Sequence, residues 1–209
     1  MLQNKRPLII GITGSIGSGK TSVCTIIEQH YPVYYADSIA HQALEHDSVI
    51  KSLINRWGRG ILHNGLINRQ AISRIVFQNR DELKYLNSVI HPAVLIIMQN
   101  IVDNTSEEIV FFEVPLLFET NLKDCFDHIV LIIAEEDVKF NRIMSRDGLD
   151  EEEVKARMLS QYDDKIKVKE SDTVIYNNGT MIELDLNVVK FIRQVSEIQF
   201  RIIKPFFEL

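Results

Sequence analysis

The sequence predicts an α/β fold, a five-stranded parallel sheet flanked by helices. Three observations carry this. Four apolar runs, at 8–13, 109–114, 128–134 and 173–176, are short and nearly continuous, as strands buried on both faces must be. Helical periodicity separates them, which is the alternation expected of a parallel sheet with crossover helices. The first run passes directly into a glycine-rich turn and then a helix, Gly14-Ser15-Ile16-Gly17-Ser18-Gly19-Lys20-Thr21.

That turn has the spacing G-x-x-x-x-G-K-[ST] and the strand-to-helix setting of a phosphate-binding loop. Glycines allow several backbone N–H groups to converge on one concavity, and the helix N-terminus behind them adds positive potential. Lys20 is expected to reach the β- and γ-phosphates of a nucleoside triphosphate, and the Thr21 hydroxyl to take a place on Mg²⁺. A helix with Val23, Ile26 and Ile27 on one face follows to about Gln29.

The next strand, 32–36, ends at Asp37, a carboxylate at the strand end where parallel sheets meet their ligands. Asp37 is the candidate acceptor of a proton from a nucleophilic hydroxyl. Residues 38–104 read as helical, more chain than a simple crossover needs and a natural place for a second substrate. Asp47, Asn68 and Asn79 stand as caps, Asn79 with Glu82 at capping-box spacing. Residues 59–65 read as a loop or tight hairpin. His91-Pro92 is expected to end one helix and open another, and Trp57 to be a packing residue.

The strand at 109–114 places the acid Glu113 near its end, a loose form of the element that holds a nucleotide's metal directly or through water. Glu119 follows in the same segment, with either a site or a surface role open. After the strand at 128–134, Arg142 and Arg146 are four apart and project from one helical face. Asp150 with Glu153 boxes a second short charged helix. Together they predict a lid over 138–169 that supplies fixed positive charge to a moving phosphoryl group. Residues 165–169 show no periodicity. Thr180 with Glu183 opens a last helix, read with Leu186, Val189, Ile192 and Val195 as its apolar face. The tail from Ile198 on is read as packing back on the domain or meeting a partner.

Composition sets bounds. A net charge of −6 lacks the basic footprint of a nucleic-acid binder. Cys24 and Cys125 predict a reduced, cytoplasmic chain without a disulfide. No stretch is expected to span a membrane, no signal peptide is read, and the histidines, His63 and His128 among them, show no metal-ligand spacing.

With these elements in hand, the chain resembles the dephospho-coenzyme A kinase family over about residues 8–195. The resemblance rests on the loop at 12–21, Tyr35-Ala36-Asp37-Ser38-Ile39-Ala40, Leu86-Asn87 with His91-Pro92, and Val114-Pro115-Leu116-Leu117-Phe118-Glu119. It extends through Arg142 to Leu149, Arg157 to Gln161, and Val174 to Gly179. It implies transfer of the γ-phosphate of ATP, with Mg²⁺, to the 3′-hydroxyl of the ribose of dephospho-CoA. Asp37, Lys20 and Arg142 are then the catalytic candidates. Residues 14–21 with Arg142, Arg146, Asn177, Asn178 and Gly179 would hold ATP, the last three as a loop near the adenine. His91, Pro92, Glu113 and Leu117 join Asp37 on the acceptor side, and Thr21 with Glu113, through water, on the metal. The implied organisation is a nucleotide-binding core (1–37, 105–137, 170–209), an acceptor-binding insertion (38–104) and the lid, in a monomer or weak homo-oligomer with no nucleic-acid or membrane partner.

The sequence departs from the family pattern at Tyr35, where an acid is frequent, at Thr21, where serine is frequent, and at Tyr162-Asp163, where Met-Pro is common. The alternative reading is another P-loop nucleoside or small-molecule kinase. A guanine-selecting switch is disfavoured because the strand ending at Ala134 runs into Glu135-Glu136-Asp137, with no Asn-Lys-x-Asp motif.

Overall fold

The computed structural model describes residues 6–77 and 79–208. It divides into two compact units: the chain up to Tyr35 with Thr105–Pro205, and Ala36–Asn104 with Phe206–Glu208.

The first unit is built on a parallel sheet of β1 (Leu8–Gly14), β2 (Val33–Tyr35), β5 (Ile109–Glu113), β6 (His128–Ile133) and β7 (Thr173–Tyr176), in the order β2-β5-β1-β6-β7. The predicted five-stranded sheet is therefore present, with β1 at its centre and every residue of β1 buried. Alternation along β1 divides the core. Leu8, Ile10 and Ile12 pack with Val23, Cys24, Ile26 and Ile27 of α1 (Lys20–Ile27) and with α9 (Met181–Gln194). On the other face Gly11 has no side chain because a Cβ there would meet Leu117 at 2.8 Å and the Phe126 ring at 3.1 Å.

The apolar stripe of α9 differs from the predicted one. Val195 is buried and Ile192 packs against the core as expected, but Leu184, Val188 and Phe191 are the other buried positions, whereas Leu186 is 63% exposed. Two apolar stripes run along this helix, and contact with α1 and β1 selects the one at 184, 188, 191 and 195. Residues 165–169 are also regular after all. They lie in α8 (Asp164–Glu170), whose N-cap Asp163 accepts from the Lys165 N–H. The two expected capping boxes, Asp150–Glu153 on α7 (Glu151–Leu159) and Thr180–Glu183 on α9, are complete.

At the N-terminal ends of the strands, charged groups fasten the tail. The fully buried Asp127 accepts from Arg6 at 2.6 and 2.9 Å and from the backbone N–H groups of Ile9 and Arg201. The Arg201 side chain in turn forks onto Asp172.

The second unit holds α2 (Ala36–Ala43), α3 (Asp47–Trp57), a hairpin of β3 (Leu62–His63) and β4 (Leu66–Ile67), α4 (Arg69–Phe77) and α5 (Arg80–Asn104). The hairpin turns on Asn64 and Gly65, both at positive φ, the signature of a tight two-residue turn. Several local expectations change here. His46, not Asp47, is the N-cap of α3. Asn79 does cap α5, accepting from the Asp81 and Glu82 N–H groups. The Glu82 carboxylate, however, accepts from Arg56 and from the Trp57 indole N–H at 2.7 Å. Trp57 also meets Tyr85 edge-on, so it is a packing residue.

Residues His91 and Pro92 do not break the helix; α5 runs through them. Both are exposed, so the Ser88 carbonyl that loses its helical donor to Pro92 faces water. With its 25 residues, α5 is also long and apolar enough to cross a bilayer, contrary to expectation. It lies against α2, α3, α4 and the turn at Phe206–Glu208, and buries Ile90, Met98 and Val102. Phe206 is buried and its N–H donates to Gln99, so the end of the tail belongs with this unit rather than with the sheet.

Candidate active site

The C-terminal ends of the strands form one edge, because Glu113 pairs in register with both Ile12 and Tyr35, and Ile133 with Tyr176. From this edge the loop at 14–21 leaves β1 and enters α1. Gly17 and Gly19 have φ of 78° and 91°, a region that costs a side chain strain. Space forbids one as well: a Cβ on Gly17 would lie 2.8 Å from the Lys139 carbonyl, and one on Gly19 would collide with Asn177.

The loop is held from several sides. The Ser18 N–H closes a turn onto the Ser15 carbonyl at 3.1 Å. Asn177, 5% exposed, donates to the Ser18 carbonyl at 2.8 Å. Arg142, on α6 (Glu136–Asp147), points its guanidinium at the Gly17 and Ser18 carbonyls and at the Asn177 Oδ1. The Lys20 ammonium lies over the loop, donating to the Gly14 carbonyl at 2.7 Å and to that of Ser15 at 3.4 Å. Beside it opens a cleft of about 520 Å³, lined by Ile16, Gly17, Gly19, Lys20, Thr21, Ser22, Pro115, Arg142, Arg146 and Gln161. Backbone N–H groups, a lysine and two arginines around one cleft are a receptor for a polyphosphate.

Thus the structure brings the loop, Lys20, Thr21, Arg142 and Arg146 to one cleft. Arg146 forks onto Asp147, which also accepts from Arg157; the Arg146 hydrogen bond holds the Asp147 carboxyl below the usual range. Other predicted residues fall elsewhere. Asn177 lies behind the loop rather than in the cleft lining, and Asn178 exchanges hydrogen bonds with Glu135. Leu117 is fully buried against Gly11, a core position and not a surface for an acceptor. Glu113 is buried at the end of β5 and lies close enough to Cys24 and Tyr35 to act on both. Asp37 is exposed in the first turn of α2, two residues beyond the end of β2, and His91 and Pro92 are exposed on α5. These three belong to the second unit.

Glu119, whose role the sequence leaves open, completes the surroundings of the loop together with Lys139, Gln161, Asp164 and Lys167, four residues of the predicted lid segment that the sequence does not single out. Gln161 donates no signal of its own in the sequence beyond its place in the segment Arg157 to Gln161. Two of the five are buried lysines, which composition alone would assign to solvent.

Oxygen donors are what Mg²⁺ requires, and a nucleotide-bound Mg²⁺ needs only one or two from the protein. The exposed Thr21 hydroxyl in the cleft and the Glu113 carboxylate at the same strand edge fit that requirement.

A parallel sheet of this order, with a phosphate-binding loop between its central strand and α1 and a helical insertion after β2, defines a P-loop kinase fold. Residues 8–183 match the family model for dephospho-CoA kinase, and the chain belongs to that family. It is 36% identical over 186 residues to a dephospho-CoA kinase of Fusobacterium nucleatum, covering 88% of this chain and 96% of that one. A crystal structure of a Thermus thermophilus protein superposes with a TM-score of 0.78 at 33% identity, over 93% of this chain and all of the other. The dephospho-CoA kinase of Campylobacter jejuni superposes with a TM-score of 0.68 at 27% identity, over 90% and 97% of the two chains.

Proposed function

We propose that this protein transfers the γ-phosphoryl group of ATP to the 3′-hydroxyl of the ribose of dephospho-CoA, giving coenzyme A and ADP. The observation that carries the reading is that the family match, 8–183, spans the donor loop and the whole helical insertion together. Phosphoryl transfer asks a protein for positioning and for compensation of charge more than for covalent chemistry. The loop amides and Lys20 would hold the β- and γ-phosphates, and Arg142 and Arg146 would face the oxygens of the group in transit. Thr21, and Glu113 through water, would hold Mg²⁺, which would supply further positive charge to the polyphosphate.

Asp37 would orient the attacking hydroxyl and take its proton late in the transfer. Its place in the chain supports this, since β2 ends in register with Glu113 and α2 begins at the next residue. Asp37→Asn is expected to lower kcat by roughly 10²–10⁴-fold while leaving ATP affinity nearly unchanged; wild-type turnover in that variant would remove Asp37 from the reaction. A cytoplasmic, reducing setting belongs to the same reading. Cys24 and Cys125 are buried free thiols, and burial, aided at Cys24 by Glu113, pushes them to about 12 and about 11, away from the reactive thiolate.

The deciding experiment is a coupled assay that offers ATP with dephospho-CoA, adenosine or nucleoside monophosphates in separate reactions. ADP release with dephospho-CoA alone is the expected result. Turnover of a nucleoside monophosphate in its place would transfer the protein to another kinase activity on the same donor loop.

A further inference from the structure

We propose that Gln161 and Asp164, at the junction of α7 and α8, are positioning residues that brace the outer turn of the donor loop. Ser15 to Ser18 form that turn, closed by the Ser18 N–H on the Ser15 carbonyl. Both of its first two residues are held from the junction. The Ser15 hydroxyl donates to the Asp164 Oδ1, and the Ile16 N–H donates to the Gln161 Oε1 at 2.8 Å. The Ile16 amide therefore serves the brace, and the amides further along the loop remain for phosphate.

The brace is itself anchored. Lys139 on α6 donates to the other Asp164 oxygen at 2.5 Å, which fixes that carboxylate between a helix and the loop. Lys167, 0% exposed, lies 3.0 Å from Glu119, and the same Glu119 oxygen accepts from the Tyr162 N–H. The junction is thus tied to the segment after β5 as well as to α6.

Charge argues that the role is positional. Asp164 offsets Lys139 and Glu119 offsets Lys167, so the two buried lysines bring no net charge to the cleft. A group of paired charges at this depth keeps one arrangement, because breaking any pair leaves an uncompensated ion in low dielectric. Residues 157–164 join α7, whose Arg157 meets the Asp147 that holds Arg146, to the loop itself. Displacement of the junction would then be felt by the loop.

This inference rests on the reading that ATP occupies the loop, so the test uses MgADP binding by calorimetry, which needs no acceptor, beside steady-state rates. Gln161→Ala, at a half-buried junction position, and Asp164→Ala are each expected to weaken MgADP binding about tenfold, as small misplacements of a binding loop do. The KM for dephospho-CoA should stay within about twofold, since that substrate does not use the loop. Asp164→Asn, whose amide oxygen still accepts from Ser15 but no longer offsets the Lys139 charge, should recover part of the affinity lost in Asp164→Ala. In a Ser15→Ala background, Asp164→Ala should cost less than it does in the wild-type protein, because the Ser15 contact is already lost and only the pair with Lys139 remains to be broken. Unchanged MgADP affinity in the Gln161→Ala/Asp164→Ala double variant overturns the proposal. So do additive losses in the Ser15 cycle, or an equal loss for both substrates together with a fall in Tm. Wild-type protein that binds MgADP but leaves dephospho-CoA untouched would overturn the acceptor assignment instead, with the brace still measured on the nucleotide.

Discussion

The two ends of the sheet carry comparable amounts of charge and use it in opposite ways. At the N-terminal ends, Asp127 and Asp172 accept from backbone N–H groups of Ile9, Ile129 and Arg201 and from two arginine side chains. Each carboxylate is consumed by the fold, and its donors come from the segments it fastens. At the C-terminal ends, Lys20, Arg142 and Arg146 stand around a cleft, where Lys20 and Arg142 reach carbonyls of the loop, Arg142 also the Asn177 amide oxygen, and Arg146 a neighbouring acid. The same residue types are structural where their valences close on the backbone and chemical where they converge on a space. The loop backbone, with its glycines at positive φ, makes that space.

The largest effect expected from this contrast is on Lys20. Lys20→Ala should lower kcat by roughly 10²–10³-fold, the scale of removing one preorganised donor. Its Tm should move by about 2 °C or less, because a partly exposed side chain is lost from the rim of a cleft. Rates over a range of ATP concentrations and a thermal melt measure both. A large fall in Tm with little change in rate would mean that the lysine serves the fold.

Asp127→Ala should do the reverse. Removing a fully buried carboxylate leaves two backbone N–H groups without their acceptor and Arg6 without its carboxylate partner, a loss of about 3 kcal/mol. For a chain of this size that is a fall in Tm of roughly 6–12 °C. Below the melting transition kcat should remain near the wild-type value, since nothing in the cleft touches Asp127. A kinetic defect as large as that of Lys20→Ala would erase the distinction between the two ends.

The sequence shows the two ends with unequal clarity. The donor loop is legible because its requirement is local: glycine where the backbone must turn at positive φ, lysine and threonine at fixed offsets, a strand before and a helix after. The strands are legible because burial on both faces leaves an unbroken apolar run. The stripe of α9 is not, since Leu186 and Leu184 are equally apolar and only the position of α1 chooses between them. Nor is the burial of Lys167, which depends on Glu119 in a different segment and on a short helix whose three lysines resemble a solvated one. Asn177 illustrates a third limit. The segment it belongs to is recognisable, yet its contact with Ser18 beneath the loop requires β7 to end beside β6 in a particular register. Pro92 misleads in the opposite sense, because a proline on an exposed helical face tolerates the lost hydrogen bond that its local rule forbids.

The smallest effect lies at the N-terminal ends of the strands and is read from pH alone. His128 opens β6; its Nε2 lies 2.8 Å from the Thr173 hydroxyl and its ring stacks near Phe191. Burial lowers its pKa, Asp172 opposes that shift and Arg201 adds to it. The folded state therefore favours the neutral ring, and between the folded pKa and the ordinary value near ~6.5 the unfolded chain binds more protons. The stability this group contributes is present above that ordinary value and is lost as pH falls through it toward the folded pKa. Melting temperatures from pH 8 down to about 5.5 should show a shallow decline that His128→Asn flattens. The acid side of the kcat profile, governed by groups at the other end of the sheet, should be the same in both proteins. A shift of that profile in His128→Asn would show that the seam fastening the tail and the cleft at the opposite edge are coupled through β6, and the division between them would have to be redrawn.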